Sequence, residues 1–258
     1  MTTKSVFTRV ASAAALTASA LMGSMPAVHA SINYGDFDGV SVMYLDVTEN
    51  SQTDPTPLYG APTISVDTLD FNPIGLGAFA TDGGIDLTDA QLEFGIMAKE
   101  GYGLQTLMFI ERGDYTLGGL GTAATYVDIT TSLFLDIIEV DGVGITPIKL
   151  EQQMVFSPNA SGLFELPSDG GVNVIWTGSL SVDLNAVLAA NNIDFQVGVT
   201  KATVNLDNTI FAQSESGTTA FLAKKDLGVS IVSIVPEPTA AAFLLLGLGA
   251  MAWSRRKS

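Results

Sequence analysis

The alternation of apolar and polar side chains sets the tightest limit on how this chain can fold. From Tyr126 to Val140, the residues Val127, Ile129, Thr131, Leu133, Leu135 and Ile137 all fall on one side of a period-two pattern. Successive side chains of a strand point to opposite faces, so this run reads as a long strand with one face buried. Leu92, Phe94, Ile96 and Ala98 alternate with Gln91, Glu93, Gly95 and Met97 in the same way. Ile193, Phe195, Val197 and Val199 repeat the pattern, and Ala202, Val204 and Leu206 follow after a shift in register. Residues 40–47, 63–71, 104–111, 148–156, 172–180, 221–224 and 227–235 are further strand candidates. Between them stand Asp38-Gly39, Asp82-Gly83-Gly84, Arg112-Gly113-Asp114, Asp141-Gly142, Asp169-Gly170-Gly171 and Ser216-Gly217, which suit hairpin positions of positive φ. Residues 183–190 alone read as helix, about two turns long, with Asn191-Asn192 as the stop. Many strands, frequent turns and one connecting helix predict an all-β fold: an antiparallel β-sandwich, with a jelly-roll connection as one option.

The two ends obey different rules. Lys4 and Arg9 precede an apolar stretch over 10–21, Val28-His29-Ala30 forms a small-residue exit, and no acid occurs before Asp36. That is the pattern of a secretory signal peptide covering 1–30, formed as a helix and cut after Ala30. The body then covers 31–234. At the other end, Val235-Pro236-Glu237-Pro238 is followed by an uncharged run from Thr239 to Trp253 and by Ser254-Arg255-Arg256-Lys257-Ser258. The prolines remove backbone donors and fix φ, so this link stays extended and open to a processing enzyme. At about 1.5 Å per residue, a helix over the uncharged run reaches about 22 Å against a hydrocarbon core of roughly 30 Å. A short transmembrane helix of this kind spans when its terminal cations snorkel and the bilayer thins. Trp253 suits the interface and the cations suit the cytoplasmic side.

The order Pro-Glu-Pro, apolar helix, Arg-Arg closely resembles the PEP-CTERM sorting signal of Gram-negative bacteria. Pro236, Glu237 and Pro238 match the motif, and Arg255 and Arg256 match its basic tail. The resemblance covers only residues 235–258. It implies recognition by exosortase, a membrane-embedded cysteine protease-transpeptidase, with cleavage near the Pro-Glu-Pro. It further implies export through the secretion machinery, and anchoring in the inner membrane by the tail helix before processing. Delivery to the cell surface or extracellular space of an exopolysaccharide-producing bacterium would follow. About the body it implies nothing.

Charge and composition narrow the body's chemistry. The chain holds 27 acids and 11 bases; the two ends contain one of the acids and five of the bases, which leaves 26 against 6 and a formal charge of −20. A field of that sign repels nucleic acid, so no nucleic-acid partner is expected. Cysteine is absent, so stability must come from a core rather than from disulfides. The single histidine, His29, lies in the signal peptide. A mature body without imidazole or thiol excludes Ser-His-Asp and Cys-His catalysis and the usual zinc, haem and iron–sulfur sites.

Three constellations remain. Asp82, Asp86 and Asp89 place carboxylates in a predicted loop where calcium could gather, although the spacing is not that of an EF-hand and Asp before Gly ordinarily makes a turn. Asp36-Phe37-Asp38-Gly39 is a weaker version. Glu93, Glu111, Glu139 and Glu165 lie on or beside predicted strands, and a glycosidase needs two carboxyl groups about 5–10 Å apart. Nothing singles out a pair, and Glu93 falls on the polar face of its strand. Tyr102 and Tyr115 are expected at loop tips, where an aromatic ring can stack on a sugar; Tyr59 is a third candidate, and Trp176 reads as core. The expectation is therefore a structural or adhesive exported module associated with exopolysaccharide. It is not an enzyme and needs no cofactor, with calcium as the one option. The alternative is a carbohydrate-binding module or carboxylate-based glycosidase.

Overall fold

The computed structural model describes residues 31–234; the expected signal helix at 1–30 and the expected membrane helix within 235–258 lie outside the described residues. Among those described, no helix is long and apolar enough to cross a membrane. The chain forms β1 (Ile32–Asp38), β2 (Val42–Asn50), β3 (Thr63–Ser65), β4 (Thr68–Phe71), β5 (Gly77–Thr81), β6 (Ile85–Ala98) and β7 (Gly103–Gly119). It continues through β8 (Tyr126–Val140), β9 (Val143–Gln153), β10 (Val155–Ser157), β11 (Leu163–Glu165), β12 (Gly171–Asp183), α1 (Leu184–Ala190), β13 (Val199–Gln213) and β14 (Thr218–Ile234). Every pairing is antiparallel.

The pairing divides into two leaves. One runs β1-β2-β6-β13-β8-β9, with β11 on the end of β8. The other runs β10-β12-β7-β14-β4-β3, with β5 also on β14. A single pair, Val199 opposite Leu104, links β13 to β7 and nearly closes the sheet on itself. The inner faces carry the alternating apolar residues: Leu92, Phe94 and Ile96 on β6, Leu133, Leu135 and Ile137 on β8, Leu107 and Phe109 on β7, and Leu227 and Val229 on β14 are all buried. Burying a side chain of this size contributes about 1.5–3 kcal/mol relative to exposure, so the period-two pattern fixes which face turns inward. Tyr44 ties the leaves together, its hydroxyl donating to Val229 O across the interior at 3.2 Å.

Turn chemistry holds where the sequence placed it, at Asp82-Gly83, Asp141-Gly142 and Gly217, each with positive φ. It fails at Arg112-Gly113-Asp114, which lies inside β7 rather than at a turn. Gly113 is there because Trp176 and the facing strand leave no room: an added Cβ would stand 1.9 Å from Ala223 O and 2.6 Å from the indole. The expected strand over 193–197 is an irregular segment instead. The Asp141 carboxylate accepts backbone N–H groups of Gln196, Val197 and Gly198 there, which leaves no ladder for them to join. The two strands expected over 221–224 and 227–235 are one, β14, with a bulge between Lys224 and Asp226. Strands β1, β5 and β11 have no counterpart in the sequence pattern: a glycine interrupts the alternation of β1 and opens β5, and β11 is only three residues long. The helix stands as expected, with the Asp183 carboxylate accepting from Ala186 N at 2.9 Å as its N-cap.

Candidate functional site

The outer face of the first leaf is where polar side chains collect, because it is the solvent half of each alternating strand. Register aligns Thr48 with Glu93, Glu93 with Asn205, Asn205 with Phe134, and Phe134 with Glu151, so five strands contribute one continuous row. Four steps of about 4.8 Å make that row about 19 Å long. The neighbouring row sets Gly95 beside Thr203, Thr203 beside Asp136 and Asp136 beside Lys149. Gly95 carries no side chain, which opens the floor at the middle of the sheet. Asp46, on the β2 bulge with φ 52°, closes the near end. Together they line a groove of about 800 Å³.

Acceptors dominate this groove. Asp46, Glu93, Asp136 and Glu151 face one ammonium, Lys149. Asn205 Nδ2 donates to Glu93 Oε1 at 2.9 Å, and Lys149 Nζ donates to Asp136 Oδ2 at 2.8 Å. Asn205 Oδ1 is buried without a partner, as is Oδ1 of Asp207. A buried acceptor of that kind calls for a donor from a ligand or water. Phe134 is the aromatic member, 41% exposed in a wall of hydrogen-bonding groups. Just beyond, burial and the nearby Asp207 carboxylate raise the pKa of Asp89. The face is therefore negative and rich in acceptors, with one ring available for stacking.

The sequence candidates fall in different places. Asp82 sits in the β5–β6 turn and accepts from Gly217 N; Asp86 and Asp89 lie on β6 rather than in a loop. Three residues apart on a strand, Asp86 and Asp89 point to opposite faces. Asp86 is already used by Phe79 N at 2.8 Å. Among the described residues, no group of three or more metal-ligating side chains is assembled. Tyr115 is a correction: it belongs to β7, is 2% exposed, and stacks on Phe164 at 4.3 Å between ring centroids. The loop expected at Arg112–Asp114 does not exist, so Tyr115 has no tip to occupy. Tyr102 keeps its turn before β7 but is half-buried. Tyr59 is fully buried, and Trp176 is core as expected. Tyr59 is held inside by the buried Glu49 carboxylate, which accepts from Leu58 N, Tyr59 N, Gly60 N and the Tyr34 hydroxyl. Glu93 lies in the groove, Glu111 in the interior, and Glu139 accepts from the Thr200 hydroxyl at 2.8 Å. Of the groove's residues, Glu93 alone stands out in the sequence as a candidate. Phe134 was the available signal, an aromatic residue out of phase with the buried side of its strand.

Fold and groove thus define an antiparallel β protein with an acceptor-lined trough on one outer face. Solved structures of similar outline include TmCBM61 in complex with β-1,4-galactotriose, 8% identical over 79% of this chain and 88% of that one, at a TM-score of 0.23. The xyloglucanase domain of NopAA from Sinorhizobium fredii, with cellobiose, is 13% identical over 81% and 100%, at a TM-score of 0.22. Scores this low place no constraint on what the chain binds. No curated protein matches the chain.

The tail is more specific: residues 235–258 match the PEP-CTERM protein-sorting motif. Pro236, Glu237, Pro238, Arg255 and Arg256 all fall within that span. The motif marks an exported protein, membrane-anchored until an exosortase processes it.

Proposed function

We propose that the body is a non-catalytic adhesive module, which holds a neutral polysaccharide in the outer groove at the cell surface or in the extracellular matrix. The observation that carries this reading is the row Thr48–Glu93–Asn205–Phe134–Glu151. A sugar offers hydroxyl donors and a C–H face together, and this row offers acceptors and an exposed ring together. Four carboxylates against one ammonium disfavour an anionic glycan. The same groove supports binding better than hydrolysis. Glu93 is engaged by Asn205 and Asp136 by Lys149. Asp46 and Glu151 stand on the first and last strands of the row, about four strand spacings apart, against the roughly 5–10 Å that a glycosidase pair spans.

Binding is tested on an array of neutral and acidic glycans with the exported protein. Retention on neutral chains is expected, and Phe134→Ala should weaken it at least about tenfold while leaving the melting temperature within a degree or two. Absence of retention on every neutral glycan sinks the reading, and release of new reducing ends replaces it with a glycosidase. Delivery is tested separately, by locating the body in hosts with and without an exosortase. A body that reaches the surface unchanged without the exosortase contradicts the proposed route.

A further inference from the structure

Three polar residues break the apolar alternation of three inward faces, and the fold brings them together. Glu111 follows Leu107 and Phe109 on β7, Asn208 lies between Leu206 and Ile210 on β13, and Lys224 follows Ala220 and Leu222 on β14. Each is at most 1% exposed. Lys224 Nζ contacts Asn208 Oδ1 across the two leaves. Glu111 Oε1 lies 2.5 Å from Lys224 Nζ in an ion pair whose two side chains are fully buried, close enough for proton exchange. The Thr131 hydroxyl stands 2.7 Å from Asn208 Oδ1 and 3.0 Å from Glu111 Oε2. Asn208 Nδ2 donates to the Tyr59 hydroxyl at 2.6 Å, which fixes the plane of the amide.

We propose that Lys224 and Asn208 are joined by an intramolecular isopeptide bond, formed by the chain itself with Glu111 as proton carrier. Lys224 Nζ attacks Asn208 Cγ as the neutral amine, while the proton of the Lys224–Glu111 pair rests on the carboxyl. A C–N bond forms, and the Thr131 hydroxyl donates to Oδ1, where negative charge develops. Glu111 gives its proton to Nδ2 and receives the one shed by the attacking amine, so it ends as it began. The Cγ–Nδ2 bond breaks and the nitrogen leaves as ammonia. Nothing is oxidised or reduced, and no co-reactant is needed.

The surroundings favour each step. Burial pushes the Lys224 amine below its ordinary pKa, against the opposing pull of Glu111, and so favours the nucleophilic form. Fixing amine and amide in one site replaces a bimolecular encounter, an effect worth several orders of magnitude in rate. Leu206, Leu222 and Phe109, the preceding inward residues on the same three strands, are fully buried, and a dry interior of this kind keeps out the water that would otherwise compete. An exported chain without cysteine would gain a covalent tie between its two leaves.

Glutamate-specific cleavage of the unfolded, mature protein decides the matter, because Glu215 lies between Asn208 and Lys224. The expected result is that the two fragments stay joined, with a combined mass one ammonia below that of the separate pieces. Two separate fragments overturn the proposal and leave a buried ion pair. A cyclic imide at Asn208 also loses ammonia but lets the fragments part, so it counts against the bond too. Glu111→Gln should give unjoined fragments of full mass, whether or not that variant folds stably; joined fragments there remove Glu111 from the reaction.

Discussion

The groove and the interior cluster are built from the same side chains, a carboxylate, an asparagine and a lysine, and differ in their access to water. In the groove, Lys149 pairs with Asp136 while its own side chain is 76% exposed. In the interior, Lys224 pairs with Glu111 and neither side chain has any exposure. Water screens the first pair and absorbs its loss. The second pair has nothing else to turn to, because charge in a low-dielectric core must be matched locally or given up as a proton. One arrangement is suited to exchanging partners with a ligand and the other to a single permanent partner.

That contrast yields a graded set of outcomes. Glu111→Ala leaves an amine buried without its carboxylate and should cost at least about 3 kcal/mol in denaturant unfolding. A cost near zero would mean that the interior admits water, and the contrast would collapse. Asp89→Asn should act with the opposite sign at neutral pH. The Asp89 pKa is raised in the folded state, by burial first and by Asp207 second, so the folded state holds that proton more tightly than the unfolded one. Its penalty is absent below the unfolded value of about 3.9, grows as pH rises through the folded value, and is constant above it. The variant should therefore melt higher than the wild type at pH 7, with the gain vanishing toward pH 3. A gain that persists in acid would trace it to packing instead of charge. Lys149→Ala marks the low end, at less than about 1 kcal/mol. A larger loss would show that the groove pair is shielded from solvent after all.

Much of the fold was legible because the period-two pattern reports burial directly. The long strand at Tyr126–Val140 and the outward position of Glu93 follow from alternation alone. Strand order, the merging of β14 across its bulge and the placement of Arg112-Gly113-Asp114 within β7 did not follow. These depend on tertiary contacts, above all the indole of Trp176 lying against Gly113. The groove was half visible: each contributing strand showed its polar side, but only register aligns Glu93, Asn205 and Phe134 across the sheet. The interior cluster left the plainest unread trace, since Glu111, Asn208 and Lys224 each occupy a beat of the pattern that belongs to an apolar residue. Read as exceptions in one strand they look incidental, and their common purpose appears only when three strands are superposed.

Strand β14 ends at Ile234, and the sorting motif begins at the next residue. A pull directed along β14 from that end would meet its pairing with β7, which runs from Thr218 to Ile234. Ladder hydrogen bonds lie across the strand direction, so such a pull loads them in shear, all together, instead of peeling them one after another. A load entering at Ile234 would thus meet the whole β7–β14 ladder at once.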